Sequence, residues 1–495
     1  MRQSPVSNFS PITPTIDAFE SGFSGVTRRS LLSGVLGGAG SVALSALLSE
    51  DAFAGDTRKG LVTLPVKAKR MIILWQGGAP SHVDLFDHKP HLAKLRGTEL
   101  PESVRSKVRL STMTAGLTRH PVLPALREFQ QYGQSGMHLS PLIPNIGGIA
   151  DKICLINSMT TDSVNHAPGV TLFMTGSQIP GRPSMGSWLV YGLGKMTEDL
   201  PAFVVMTSTD VGRTCGQLFF DYYWGSGFLP SQHQGTRFRS DGEPVLYLDN
   251  PKGVPASVRK AMLDGVQKIN HQHSMTKGDP EISARISQYE TAFRMQSSVP
   301  DLLAIEQEPQ HIIDLYGPDV QRPGSFARNC LLGRRLLERG TRFVQLMHSG
   351  WDQHGNLSTQ LEAQCRDTDR PAAALVKDLE QRGLLDDTIV LWMSEFGRTV
   401  FAQGDINASN GYGRDHLGSV YSVWAAGGGF KKGTVYGKSD DYAYNVAENP
   451  VHIHDLQATI LAQFGIDHKK LTYRYQGRDF RLTDVFGNSI PGIMA

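Results

Sequence analysis

The chain has 495 residues, a formal net charge of +2 at pH 7 and an aromatic content of 8%. With neither a basic block nor an acidic tail, this composition is typical of a globular protein and argues against a nucleic-acid partner. A chain of this length can bury a sufficient core without disulfides, so its cysteines are interpreted as core thiols. One bridge stays open, because sequence alone cannot select a pair. The four cysteines are Cys154, Cys215, Cys330 and Cys365.

The chain begins with the features of an export signal. A twin arginine, Arg28-Arg29, precedes an apolar, glycine-rich run over residues 31–48, and Ala52-Phe53-Ala54 supplies a small-residue cleavage pattern. We therefore predict a twin-arginine leader over residues 1–54, with the twin-arginine translocase as a partner. The mature protein is expected in the periplasm or at the cell surface. The alternative is a retained N-terminal anchor, which the shortness and weak apolar character of the run disfavour.

Beyond the leader, short β-branched runs alternate with helical patterns. The predicted strands cover residues 71–75, 153–156, 203–206, 245–248, 342–347, 388–393 and 420–424. The predicted helices cover residues 256–270, 282–295, 325–339, 360–382 and 454–464. This alternation predicts one α/β domain over residues 55–495, with a mixed, mainly parallel sheet covered on both faces. Residues 212–250, rich in glycine and aromatic residues, are interpreted as a long surface excursion that rims the site.

Polar residues of metal-binding types follow several of these strands. In open α/β sheets ligands bind beyond the carboxyl ends of the strands, so these positions are the first candidates for chemistry. A further cluster lies in a glycine-rich loop, residues 412–416, just before the last predicted strand. Imidazole and carboxylate ligands together suit zinc, manganese or iron better than calcium. The candidate metal ligands are His82, Asp84, Asp352, His354, Glu395 and His416.

Each candidate also has a simpler interpretation. A lone Asp-x-His is usually a capped turn, and a glutamate after a strand is usually a capping group or a solvated charge. His82 and Asp84 lie in a loop rich in proline and glycine, where they can merely form turns. His348 can be an outer-shell residue. The recurrence of both ligand types at several strand ends of one sheet is what favours a metal site.

His166 stands at the predicted start of a short helix. Pro168 is predicted as the first residue of that helix, and Gly176 closes it. The free amide groups and the dipole at a helix start disfavour protonation of an imidazole, so we expect a neutral His166 that can attack a substrate or bind a metal. The alternative is a histidine that caps the helix or packs against Pro168.

The segment around His166 resembles the signature of sulfatases. There, a cysteine or serine nucleophile is followed by Pro-Ser-Arg and later by Thr-Gly, and the threonine motif of nucleotide pyrophosphatases is similar. His166 falls on the nucleophile, Pro168 on the proline, and Thr175-Gly176 follows nine residues after His166. Glycine and valine replace the Ser-Arg pair, so the resemblance excludes the cysteine-to-formylglycine maturation of arylsulfatases.

Other positions follow the order seen in the alkaline phosphatase and sulfatase superfamily. Asp352 and His354 resemble the aspartate and histidine of one metal site, and His416 resembles the late histidine ligand. Gln76 and Phe396 depart from the pattern, since the superfamily carries aspartate at the first position and histidine or asparagine at the second. The resemblance therefore implies one metal rather than two, with the second position empty or rebuilt from other side chains. These are His82, Asp84 and His166.

More closely, the chain resembles the bacterial family DUF1501, which is placed in this superfamily. The match runs from about Lys69 to the C-terminus. It is carried by motifs that include Gln76-Gly77-Gly78, Gly350-Trp351-Asp352-Gln353-His354, Glu395-Phe396-Gly397-Arg398 and Gln476-Gly477-Arg478-Asp479-Phe480. The resemblance implies an alkaline phosphatase/sulfatase-like three-layer αβα sandwich with a mainly parallel central sheet, and it carries no established substrate.

The residues and the resemblance together imply an exported, metal-dependent hydrolase of sulfate or phosphate esters, such as those of an anionic glycan. Arg398 and Arg414 are predicted to clamp the anionic oxygens, and His166 to act as nucleophile, general base or ligand. Zinc or manganese is the expected ion, with calcium or iron as alternatives. Two other functions stay open. One is a non-catalytic, metal-containing binder of sulfated or phosphorylated polysaccharide, and the other is a transferase or mutase acting on a phosphorylated sugar.

Overall fold

The structure, a computed structural model, describes residues 61–108, 110–208, 219–239, 245, 250, 253–277, 280–408 and 411–495. The leader predicted over residues 1–54, Cys215 and most of the strand predicted at 245–248 lie outside these residues. Cys154, Cys330 and Cys365 are buried, as expected for core residues. No helix in the described part of the chain is long and apolar enough to cross a membrane.

Within the described residues, a nine-stranded sheet forms the centre of the fold, and one of four separate two-stranded sheets is a hairpin that contributes to the candidate site. In chain order the strands are β1 (Arg70–Gly77), β2 (Ile153–Thr160), β3 (Phe203–Thr207), β4 (Thr236–Phe238), β5 (Phe343–Ser349), β6 (Thr388–Met393), β7 (Gly397–Gly404), β8 (Tyr412–Leu417), β9 (Tyr421–Ala426), β10 (Thr434–Tyr436) and β11 (Val451–His452). Strands β7 and β8 form the hairpin.

The strand order of the large sheet is β10-β2-β9-β6-β1-β5-β3-β4, and β11 also pairs with β2. Every pairing is parallel except those of β9, which lies antiparallel between β2 and β6. Strands covered on both faces consist of nearly continuous apolar runs, as in the buried segment from Met71 to Trp75 of β1. The predicted mixed, mainly parallel sheet is confirmed.

Helices cover both faces of this sheet. Their bounds are α1 (His166–Thr175), α2 (Met185–Leu193), α3 (Ala256–Lys277), α4 (Pro280–Leu303), α5 (Gln310–Tyr316), α6 (Phe326–Glu338), α7 (Leu357–Gln381) and α8 (Ile453–Gln463). Ile72 and Leu74 of β1 pack in one core with apolar residues of α4 to α7. The alternate residues Met71 and Ile73 pack in a second core with α1, α2 and α8. The three-layer αβα arrangement is therefore confirmed.

Two segments differ from the sequence analysis. Residues 412–416, predicted as a glycine-rich loop, belong to β8, whose register places His416 opposite Arg398 of β7. Residues 219–239, assigned to a surface excursion, contribute β4 at the edge of the sheet and bury Tyr223, Trp224 and Leu229. In both segments, long-range packing determines the structure, and local composition does not reveal it.

The sheet order determines where polar side chains meet. Strands β6, β1 and β5 are neighbours and parallel, so the segments that follow them emerge at one edge of the sheet. Three residues separate the end of β6 from the start of the hairpin of β7 and β8. This edge is where the candidate ligands of the sequence analysis come together.

Candidate metal centre

Four side chains converge at this edge of the sheet: His166 at the start of α1, Asp352 and His354 after β5, and His416 on β8. One ligand atom from each lies within 4.8 Å of the others. Asp352 Oδ1 is 3.2 Å from His166 Nε2, 2.8 Å from His354 Nε2 and 3.2 Å from His416 Nε2. A tetrahedral zinc ion with bonds of about 2.0–2.1 Å holds its ligand atoms about 3.3 Å apart. The four-residue group therefore has nearly the size that such an ion requires.

The second ring nitrogen of each histidine bonds to an oxygen. His166 Nδ1 lies 2.6 Å from Glu395 Oε1. His354 Nδ1 lies 2.6 Å from Gln403 Oε1. His416 Nδ1 lies 2.7 Å from a backbone carbonyl oxygen. Metal-binding histidines usually donate their other N–H to such an oxygen, which leaves a lone pair on the ligating nitrogen. In agreement, His166 Nε2 is buried and makes no hydrogen bond.

The charges of the four-residue group shift one another's pKa values. Burial lowers the pKa of His166, but the carboxylates of Asp352 and Glu395 beside it outweigh burial and raise that pKa above its ordinary value. This direction is opposite to the one expected from the dipole at a helix start, because two carboxylates outweigh the dipole. Burial, reinforced by the charges of Arg398 and His166, lowers the pKa of His416 to about 4. Burial raises the pKa of Asp352, but the three histidines and Arg398 hold it far below its usual range.

Arg398 fixes Asp352 rather than facing the solvent. Its side chain is 2% exposed, and its Nη2 donates to Asp352 Oδ1 at 2.6 Å. Its other N–H groups donate to the backbone carbonyls of Gly78, Ala79 and Arg414. These contacts join the segment after β1 and strand β8 to the ligand after β5. The structure thus places Arg398 as a buried residue that holds the Asp352 carboxylate, and not as the predicted anion clamp.

Arg414 and Asp84 bind each other in the core. Arg414 Nε lies 2.7 Å from Asp84 Oδ2 and its Nη2 lies 3.0 Å from Oδ1, and both side chains are fully buried. The remaining N–H groups of Arg414 donate to backbone carbonyls. These carbonyls belong to Leu123, Pro124, Thr399 and Val400. The structure therefore does not bring Asp84 to the four-residue group as a ligand, nor Arg414 as a clamp.

His82 and Glu395 lie beside the four-residue group and are not part of it. His82 is buried, burial lowers its pKa, and its Nε2 is 3.0 Å from a backbone carbonyl oxygen. Glu395 is fully buried and accepts from the Gly78 N–H at 2.8 Å and the Ser394 hydroxyl at 2.6 Å, besides its contact with His166. Glu395 thus lies behind His166, on the side away from Nε2, as carboxylates commonly do behind the histidines of metal sites.

Two glycines allow the ligand-bearing segments to approach. Gly78 has a φ of +107°, and a Cβ there would clash with the backbone at Trp351 and Asp352. A Cβ at Gly413 would clash with the backbone of His354. The Gly-Gly sequence after β1 and the glycine within β8 are therefore explained by close backbone contacts around the ligands.

The two departures from the superfamily pattern fill other roles. The ring of Phe396 lies 4.9 Å from that of His166 and 4.7 Å from that of His416, measured between centroids, and forms an apolar wall. Gln76 is buried and accepts a hydrogen bond of 3.0 Å from Trp351 Nε1. Among the described residues, the four-residue group is the one cluster of three or more His, Cys, Asp or Glu side chains that is close enough to hold a metal ion.

Two contributors to the site were not found from the sequence. Gln403 of β7 and the carbonyl of Val164 bond to Nδ1 of His354 and His416. Glutamine and backbone carbonyls carry no metal-binding pattern. The one available signal was the register of β7 against β8, which requires knowing that both segments are strands.

The fold and the four-residue group define an α/β protein with a candidate metal centre at the carboxyl edge of its sheet. The chain belongs to the family described as "Protein of unknown function (DUF1501)", whose pattern matches residues 68–494. No curated protein sequence shows a significant match.

Solved structures of the alkaline phosphatase and sulfatase type are similar in outline. A protein in the alkaline phosphatase superfamily from Vibrio parahaemolyticus is 10% identical, with a TM-score of 0.36 over 83% of this chain and 70% of that one. The sulfatase PsFucS1 from Pseudoalteromonas sp. is 14% identical, with a TM-score of 0.35 over 86% and 71%. Alkaline phosphatase from the Antarctic bacterium TAB5 is 10% identical, with a TM-score of 0.31 over 80% and 98%. Likeness at this level gives no information on activity or substrate.

Proposed function

We propose that this protein is a metal-dependent hydrolase of sulfate or phosphate esters, with its ion held by His166, Asp352, His354 and His416. The observation that carries the proposal is the convergence of three Nε2 atoms and one carboxylate oxygen, while each Nδ1 is bonded to an oxygen. Imidazole with carboxylate favours zinc, manganese or iron, whereas calcium favours oxygen ligands alone.

The residues of the chain have distinct tasks in this proposal. A divalent ion, when bound, supplies a Lewis acid that polarises an ester oxygen and activates water. Glu395 holds the Nδ1 proton of His166, so that Nε2 is available as a ligand. Arg398 holds Asp352 in place. Phe396 covers one side of His166 and His416 with an apolar ring, which limits the access of water there.

The four-residue group is also accessible to a substrate. The side chains of His354 and His166 are 20% and 15% exposed, whereas that of Glu395 is fully buried. One side of the group therefore faces solvent, and the other is closed by protein. Three neutral imidazoles and one carboxylate leave a divalent ion with net positive charge, which favours an anionic substrate such as a sulfated or phosphorylated glycan.

The experiment that tests the proposal combines metal analysis with turnover. We expect the wild-type protein and His138→Ala, a change outside the four-residue group, to contain roughly one ion per chain and to hydrolyse an aryl phosphate or an aryl sulfate. Asp352→Ala and His416→Ala are expected to lose both the ion and the turnover, because each removes a converging atom. A folded wild-type chain that binds no zinc, manganese or iron would overturn the proposal.

A second function is favoured by the number of protein ligands. Structural zinc sites usually have four protein ligands, whereas catalytic zinc sites usually have three and an open position. Four converging side chains are thus also consistent with a non-catalytic, metal-containing protein that binds anionic polysaccharide. Retained metal without turnover of either ester, together with saturable binding of a sulfated polysaccharide, would identify this function instead.

Export through the twin-arginine pathway is part of the proposal. It rests on Arg28-Arg29, the apolar run and the small-residue pattern that ends at Ala54. We expect the wild-type chain in the periplasmic fraction with an N-terminus near Gly55, and the double change Arg28→Lys, Arg29→Lys to leave it in the cytoplasm. N-terminal sequencing of the fractionated protein measures both. A periplasmic double variant would contradict this route.

A further inference from the structure

The three histidines of the four-residue group differ in what fixes their tautomers. His166 faces a carboxylate and His416 faces a backbone carbonyl, both through Nδ1. A carbonyl oxygen and an ionised carboxylate only accept hydrogen bonds. Both histidines must therefore carry a proton on Nδ1. The Nε2 atom of each neutral ring then has a lone pair, which faces the other members of the four-residue group.

The tautomer of His354 is not fixed in this way, because its partner is an amide, which can donate as well as accept. Gln403 presents Oε1 to His354 Nδ1 at 2.6 Å, and in this orientation the imidazole donates. If the amide turned by 180°, its NH₂ would donate to Nδ1 and the proton of His354 would move to Nε2. A proton on Nε2 would point at Asp352 Oδ1, 2.8 Å away, and would replace a metal ion there.

We infer that Gln403 is the positioning residue that holds His354 in its metal-binding tautomer and thereby tunes the affinity of the site for its ion. This inference rests on the metal site of the proposed function. His416 carries its proton on Nδ1, so the lone pair of its Nε2 faces His354 Nε2 at 3.1 Å. An ion held between these two atoms requires that His354 Nε2 be without a proton as well.

The position of Gln403 suits this role. It lies on β7 opposite Gly413 of β8, and the backbone of His354 packs where Gly413 lacks a side chain. The hairpin therefore sets the position of Gln403, and the packing of the His354 backbone against β8 sets the position of His354. Gln403 is only half-buried, so substitutions there are expected to leave the core intact.

The test compares three changes by titrating the metal-free protein with Zn²⁺ against a chelating competitor. Gln403→Met keeps the length of the side chain and removes the acceptor. The affinity of this variant for Zn²⁺ is expected to fall by about 10–100-fold, as it does when other residues that bond to a metal-binding side chain are replaced. Gln403→Glu can only accept when ionised, and it is expected to match or exceed the wild-type affinity. Gln296→Met is the control. Gln296 is also half-buried, but it lies on α4 and bonds to Asn250, outside the four-residue group.

The spectrum of bound Co²⁺ provides a second readout, because it reports the ligand geometry independently of turnover. We expect Gln403→Met to alter it and Gln403→Glu to preserve it. Wild-type affinity in Gln403→Met, or a loss in Gln403→Glu equal to that in Gln403→Met, would overturn the positioning role alone. A wild-type chain that binds no Zn²⁺ would overturn the proposed function, and this inference with it.

Discussion

Replacing His166 with alanine is expected to abolish metal binding as well as activity. His166 Nε2 is one of the converging atoms, and it is buried without a hydrogen bond. Loss of an outer-shell partner typically lowers metal affinity by about 10–100-fold. Loss of the ligand itself is therefore expected to lower it by more than about 100-fold. Titration of the metal-free protein with Zn²⁺ measures the change, and circular dichroism shows whether the fold is retained.

This measurement separates the roles of His166 as ligand and as nucleophile. A nucleophile can be removed while the ion stays bound, so wild-type Zn²⁺ affinity with no turnover in His166→Ala would contradict the ligand role. Glu395→Gln provides an intermediate case, since it keeps the shape of the side chain and removes the charge behind His166. We expect its affinity to fall by about 10–100-fold. His138→Ala, outside the four-residue group, should bind Zn²⁺ as the wild type does.

Replacing Arg414 with methionine is expected to destabilise the fold by about 3–5 kcal/mol, the usual cost of removing one partner of a buried ion pair. Arg414 and Asp84 are both fully buried, so the change leaves the Asp84 carboxylate without its counter-ion. It also removes donors from several backbone carbonyls. Unfolding in guanidinium chloride, followed by tryptophan fluorescence in the presence of a chelator, measures the loss.

The control for this prediction is an ion pair on the surface. Arg474 and Asp479 are 3.5 Å apart with side chains 70% and 56% exposed, so Arg474→Met is expected to change stability by less than about 1 kcal/mol. Arg414→Lys, which keeps the charge but not the planar fork, should fall between the two. A fully stable Arg414→Met variant that binds phosphate more weakly would instead assign Arg414 to the substrate.

The sheet could be predicted from sequence because its strands are short, apolar and β-branched. The strand at 388–393 agrees with β6 at both ends, and the central strand β1 extends its predicted run by a few residues. The hairpin of β7 and β8 was not found. Residues 412–416 include glycine and charged residues and show no apolar alternation. They are buried because polar partners such as Asp84 pair with them. Periodicity does not detect strands of this kind.

The four-residue group was predictable in part, for a related reason. Asp352 and His354 are residue types that bind metals and follow β5, as expected, whereas His416 lies within β8 and not before a strand. Asp84 has the same chemistry in the same kind of loop, yet it pairs with Arg414, which is 330 residues away in the chain. Sequence shows which side chains can bind an ion. It does not show which of them have already been paired by the fold.

The converging residues lie far apart in the chain, at positions 166, 352, 354 and 416, on segments that only the finished sheet brings together. An unfolded chain therefore offers an ion no comparable site. An ion that binds only the native state stabilises it by about 2.7 kcal/mol when its free concentration is one hundred times Kd. A bound ion would therefore indicate that a molecule has completed its folding. The ion would also cross-link three segments of the chain, and no disulfide between the described cysteines links these segments.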